Sequence, residues 1–106
     1  MPPVAGPSAP AEAATPLFDL GAAWRLHPRV ALRAESFGAL AYHFGTRRLS
    51  FLKSPRLRSL VESLADYPTA ADACRAAGVS EGDRPAYARA LATLAASNMI
   101  IPRATP

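Results

Sequence analysis

Residues Phe37 to Leu57, FGALAYHFGTRRLSFLKSPRL, sort cleanly onto two faces when folded across a turn at Gly45-Thr46. No other feature of the chain restricts its fold as tightly. Glycine at the first central position suits a two-residue type II′ turn. The register then sets Phe44 opposite Arg47, Tyr42 opposite Leu49 and Leu40 opposite Phe51. Nearly all the large apolar side chains fall on one face. Ala39, Ala41, His43, Arg48, Ser50 and Leu52 fall on the other. Slipping the pairing by one residue would turn every side chain over, so one register is strongly specified. The bulky face, with Tyr42, Phe44 and Phe51, is expected to be core. A hairpin with an unpaired edge can also accept a further backbone as an added strand.

The flanking segments extend this hairpin into a domain. Trp24, Leu26, Val30 and Leu32 alternate with Arg25, His27, Arg29, Ala31 and Arg33, the period of a half-buried strand. Pro28 lacks an amide donor and is expected to interrupt that ladder or to sit on its edge. Ser54-Pro55 opens a helix, with a hydroxyl at the N-cap and proline at the first helical position. Leu57, Leu60, Val61 and Leu64 then share one buried face. Pro68 ends this helix, and Thr69 caps a short second one over about Ala70–Ala77 with Gly78 at its C′ position. A third helix is expected over about Pro85–Ser97, capped by Asp83 or Ser80. Tyr87, Ala90, Leu91 and Leu94 form its core face, beside a strip of Ala88, Ala92 and Ala95. Met99-Ile100-Ile101 reads as a short closing strand or an apolar tail, stopped by Pro102. The expected fold class is α+β: a small winged-helix-like domain, a three-stranded antiparallel sheet followed by three α-helices (βββααα), over residues 20–103.

Ahead of it, residues 1–19 are expected to be a disordered Pro/Ala-rich tail. Met1 to Pro16 hold five of the eleven prolines, with Val4 alone bulky and apolar. Such a stretch buries too little apolar surface to offset its ordering entropy. It lacks the basic start and continuous apolar run of a signal peptide, and no later run approaches the roughly 18 apolar residues that span a bilayer. Cys74 is the one cysteine, which excludes an internal disulfide and suits a reducing cytoplasm. The net charge is +4, and it is unevenly spread. Arg25 to Arg58 hold eight basic residues against Glu35, whereas from Ser59 onward four basic residues meet five acids. A local basic field speeds encounter with an anionic partner.

The chain offers no set of residues for catalysis. His27 and His43 lie on different strands, both on the expected polar face, with neither a second cysteine nor a nearby carboxylate to complete a metal site. Cys74 stands in an Ala-rich helix without a base and reads as a small buried hydrophobe. Ser50, Ser54 and Ser59 lack a His/Asp constellation, and the six glycines are scattered, giving no phosphate loop. No cofactor is implied. Arg47, Arg48, Lys53, Arg56 and Arg58 are the candidates for anion recognition, although a solvated face is the usual fate of such residues. Trp24 reads as a core anchor.

Three stretches carry a family resemblance: WRLHPRVALR (24–33), FGALAYHFGTRRLSFLKSPRL (37–57) and ASNMIIPR (96–103). Through them the span from Trp24 to about Arg103 resembles the peptide chaperones of mycofactocin biosynthesis. It is more distantly similar to the pyrroloquinoline-quinone peptide chaperone and to the wider RiPP recognition elements. The resemblance implies a non-catalytic βββααα domain that binds the leader of a ribosomally made precursor peptide and presents it to a radical SAM maturase. In that family the leader adds as a strand to the third β-strand, against the third helix. Here the implied strand is Arg48-Leu49-Ser50-Phe51-Leu52. The implied helix face is Ala88, Ala92 and Ala95, with Arg84 at the mouth. Independently, a strip of alanines lets a second backbone approach a helix closely; it would equally permit tight packing on the first helix. The basic segment suggests an acidic leader.

Two other classes compete. A winged-helix nucleic-acid binder is invited by architecture and charge, but its recognition helix usually carries several basic and amide side chains. The third helix here offers Arg84 and Arg89 among alanines, with Asn98 at its far end. Neither nucleic acid nor a membrane is therefore the expected partner. The other class is a generic adaptor between two proteins.

Overall fold

A computed structural model of the chain describes residues 18–103; the expected tail lies outside them as far as residue 17. Its last two residues lie inside. The Phe18 ring stands 4.9 Å from that of Trp24, and the Asp19 carbonyl accepts the indole N–H of Trp24 at 2.9 Å. A buried indole needs such a partner, and Trp24 is the core anchor the sequence suggests, only 2 % exposed.

The single strand expected from Trp24 to Arg33 is two strands. β1 (Trp24–Leu26) and β2 (Val30–Glu35) are separated by a turn in which Val30 N donates to the His27 carbonyl at 2.9 Å. Pro28 takes the second turn position, where its fixed φ fits. β2 pairs antiparallel with β3 (Gly38–His43), and β3 with β4 (Leu49–Leu52), in the order β2-β3-β4. β1 instead pairs with β5 (Ile100–Pro102) at the far end of the domain. The closing apolar stretch is thus a strand, and it fills the ladder positions that Pro28 detaches from the main sheet. Four strands precede the helices and a fifth follows them, in sheets of three and two. The α+β class stands, and the simple βββααα order is corrected.

The helices start where their caps place them. α1 (Pro55–Ser63) opens on Ser54, whose Oγ accepts from Leu57 N at 2.9 Å, and runs into a single 3₁₀ turn, Leu64–Asp66. α2 (Ala70–Ala76) opens on Thr69, whose Oγ1 accepts from Asp72 N at 3.1 Å. It is followed by Gly78 at φ +84°. α3 (Arg84–Ala96) has Asp83 at its N-cap position, but Ser80 Oγ supplies the acceptor, taking Asp83 N at 3.2 Å.

The hairpin keeps its expected register, Tyr42 opposite Leu49 and Leu40 opposite Phe51, but differs in its turn and its faces. Phe44 to Arg47 form a four-residue loop, closed by Arg47 N to the His43 carbonyl at 2.7 Å and His43 N to the Arg48 carbonyl at 2.9 Å. The left-handed residue is Arg47, at φ +64°, rather than Gly45. His43 accounts for this. Its ring is buried, and Nδ1 accepts from Gly45 N at 2.9 Å and Thr46 N at 3.1 Å, an acceptor that a two-residue turn would not need.

The two faces of the sheet are the reverse of the expectation. Ala39, Ala41, His43 and Leu52 are buried, whereas Phe44, Leu49 and Phe51 are 58 %, 58 % and 59 % exposed and Tyr42 is half-buried. The reason is room. α1 lies against β3, and alanines at 39 and 41 let it approach, while Leu57, Leu60, Val61 and Leu64 supply the core volume. Large side chains on that face would overpack the same space. Gly38 belongs to this close fit: at φ +150°, a Cβ there would stand 2.0 Å from the Leu52 carbonyl oxygen. The opposite face forgoes part of the about 1.5–3 kcal/mol that full burial of each large apolar side chain would contribute.

Candidate functional site

β4 is an edge strand. His43 and Arg48 form a hydrogen-bonded pair, and antiparallel pairs alternate between bonded and non-bonded. Ala41/Ser50 and Ala39/Leu52 are therefore the bonded pairs. The amides and carbonyls of Leu49 and Phe51 point the other way, outward, where no described strand meets them. Two donors and two acceptors thus stand in a row on an open edge, repeating at the two-residue spacing of a strand.

Beside that edge runs a groove of about 410 Å³ lined by Ser50, Phe51, Lys53, Leu57, Ala90, Thr93 and Leu94. It continues toward the start of α3 as a smaller hollow of about 140 Å³, bounded by Lys53, Ser54, Leu57, Ala86, Tyr87 and Ala90. The two share Lys53, Leu57 and Ala90, so they form one channel between β4 and α3. Its floor is apolar, and small side chains on the helix hold it open. The hydroxyl of Thr93 donates to the Arg89 carbonyl within the helix at 3.0 Å and leaves its oxygen free to accept.

The structure brings only part of the sequence-derived set together. Ser50 and Phe51 line the channel, and Leu49 contributes its outward backbone. Arg48 is exposed at the hairpin end of β4, and Leu52 is wholly buried at the other. Ala88 and Ala92 lie elsewhere, in a hollow of about 460 Å³ with Phe18, Asp19, Leu20 and Arg89, and Ala95 is buried at 3 % exposure. Two residues along a helix turn a side chain by about 200°, so Ala88 and Ala92 face away from the side on which Ala90 and Leu94 flank β4. Arg84 sits in the first turn of α3, half-buried, with its Nε buried and unpartnered. The helical lining residues, Ala90, Thr93 and Leu94, belong to the edge of the stripe that also holds buried Leu91. Their spacing marks a core face, and only the packing shows that one margin of it stays open.

The surroundings are cationic. Arg47, Arg48, Lys53 and Arg56 are all exposed, and none of them is ion-paired among the described residues; the pairs formed there are Arg33–Glu35 and Arg75–Asp72.

The histidines are not both on a polar face. Their rings meet at 4.4 Å; His43 is buried and His27 half-buried. His27 Nδ1 accepts from Arg29 N at 2.9 Å. Its pKa lies below the usual histidine value, first because it is partly buried, then through repulsion from His43, Arg25 and Arg29. Among the described residues no three of His, Cys, Asp and Glu stand close enough to hold a metal ion. Burial pushes the Cys74 thiol up, against a smaller downward pull from Arg84. No helix of the described residues is long and apolar enough to cross a membrane.

Residues 23–101 match the model of the peptide chaperone MftB family. Relatives named "Peptide chaperone MftB" are similar over most of the chain. That of Mycobacterium tuberculosis is 57 % identical over 88 residues, 83 % of this chain and 81 % of that protein. That of Mycobacterium ulcerans is 53 % identical over 97 residues, 90 % of this chain and 89 % of that protein. That of Mycolicibacterium smegmatis is 53 % identical over 85 residues, 80 % and 83 % of the two chains. No solved structure gives a significant match.

Proposed function

The chain belongs to the peptide chaperone MftB family, and from that premise we propose how it handles its peptide in mycofactocin biosynthesis. The leader of a ribosomally made precursor adds as a strand along Arg48–Leu52 and lies in the channel between β4 and α3. The chain performs no catalysis and works in the cytoplasm, holding the leader while a radical SAM maturase acts on the rest of the precursor. The observation that carries this reading is the outward row of Leu49 and Phe51 backbone groups beside a groove floored by Leu57 and walled by Ala90, Thr93 and Leu94.

Strand addition suits a chaperone chemically. Backbone pairing holds a peptide of almost any sequence, while the pockets beside it choose side chains. Each new hydrogen bond contributes about 0.5–1.5 kcal/mol net, so binding strong enough to hold the leader still allows release after turnover. Lys53 and Arg48 favour carboxylates on the guest.

Calorimetric titration with a synthetic leader peptide tests this reading. The wild-type chain binds; Ala90→Trp, which fills the channel, loses at least about tenfold in affinity while keeping its circular dichroism. Ala92→Trp, on the far side of α3, binds as the wild type does. Equal loss in both variants, or in Ala92→Trp alone, contradicts this placement.

A further inference from the structure

Among the described residues, the exposed large apolar side chains, Phe37, Phe44, Leu49 and Phe51, gather on the outer face of the three-stranded sheet. Leu40 and Tyr42 of β3 stand beside Leu49 and Phe51 of β4. Phe37 extends the row, its ring 6.1 Å from that of Phe51. Phe44 closes it at the other end, edge-on to Tyr42 at 4.9 Å. Single exposed apolar residues are ordinary, but a contiguous group rimmed by charge marks an interaction surface. Aromatic side chains are also those that most often anchor interfaces.

The rim indicates what can cover it. Arg33, opposite Leu40, and Lys53, two residues beyond Phe51, border the row, with Arg47 in the loop at its end, and all three are exposed. The one carboxylate on this face, Glu35, is already taken by Arg33 at 3.1 Å. A second copy of the chain would set this rim against itself, since a two-fold interface repeats the same patch on both sides, and like charges would oppose. The complementary partner is apolar at its centre and acidic at its edge.

Phe51 connects this face to the peptide channel. Its backbone points along the open edge of β4 and it lines the groove, while its ring stands on the outer face. Whatever covers the ring touches the strand on which a guest would lie. We propose that this outer face is the docking surface for the enzyme that acts on the held peptide, through a patch on that enzyme that is apolar within and carboxylate-rich around. The proposal rests on the peptide-chaperone reading above.

Tyr42→Thr/Phe44→Ser removes two aromatic side chains of the face without changing a residue of β4, and Arg33→Glu reverses one rim charge at an exposed position and frees Glu35. Each is titrated with the synthetic leader and, separately, with the purified radical SAM maturase from the same genome. The chain alone is run by sedimentation velocity and mixed with vesicles containing phosphatidylserine. Both variants keep leader affinity within about twofold and lose roughly tenfold or more of maturase affinity; the wild type stays monomeric and ignores the vesicles. Undiminished maturase binding by the variants, or none by the wild type, overturns the proposal. So does a wild-type dimer that the double variant dissolves, or vesicle binding that it abolishes. If the double variant fails to fold, Arg33→Glu decides alone. A wild-type chain that binds maturase but no leader sinks the chaperone reading instead, and loss of leader binding in the face variants assigns this surface to the peptide.

Discussion

His43 shows how one side chain can redirect a local structure that pattern reading otherwise gets right. The alternation of residues 38 to 52 gives the register, because pairing and face are tied by the two-residue period. The same alternation does not say which face is inside. Size points to Tyr42, Phe44 and Phe51, but the partner of this sheet is a helix that needs room, so Ala39 and Ala41 go inward. His43 follows them, and its Nδ1 becomes the acceptor around which the loop closes. The neighbouring His27 carries a measurable consequence. Its folded pKa is below the ordinary histidine value, so the unfolded chain binds the proton more readily, and stability rises with pH wherever that holds. His27 therefore contributes its full stabilisation above about pH 6.5 and loses it as pH falls below that value toward the folded pKa. Urea midpoints at pH 7.5 and pH 5.5 should show the lower value at pH 5.5, and His27→Gln should shrink the difference. An unchanged difference in that variant would assign the pH dependence to other groups.

At the scale of elements, caps and breakers were legible and the open margin of a helix was not. Ser54-Pro55, Thr69 and Gly78 sit where local chemistry places them, because each acts within a few residues. Pro28 signals an interruption, but the pairing of β1 with β5 joins residues about 75 apart, and no local pattern encodes it. The same limit applies to α3. Spacing identifies Ala90 and Leu94 as core-facing, yet whether that face is fully covered depends on how far β4 stands from it. Ala88 and Ala92 have the composition of a cleft, but the helix turns them toward Phe18 and Leu20. The edge strand makes its own prediction. Leu49→Pro removes an outward amide from an exposed position, which an edge strand tolerates; it should leave the fold intact and weaken leader binding by roughly two- to tenfold, the range for one lost hydrogen bond. Ser50→Pro removes an amide bonded to β3 and should lower thermal stability instead. The reverse pattern in melting and calorimetry would mean that the pairing parity is wrong.

For the whole molecule, charge and apolar surface are arranged around one strand. The basic residues lie along the strands, in the loops that join them and at the start of α1, while the chain from Ser59 onward is nearly balanced. Exposed charges separated by more than a Debye length, about 8 Å at physiological salt, are screened, so leader affinity should fall as sodium chloride rises from 50 to 500 mM. A salt-independent affinity would show that Arg48 and Lys53 take no part. β4 stands where the three surfaces meet: core on one side, the aromatic face on the other, and the channel along its edge. Its backbone offers the most direct test of peptide capture. Hydrogen exchange, resolved by residue in the free chain, should find the Ser50 and Leu52 amides slow and the Leu49 and Phe51 amides fast. Saturating leader peptide should slow Leu49 and Phe51 while leaving the other two as they were. Leu49 and Phe51 amides that still exchange freely in the complex would contradict strand addition on β4.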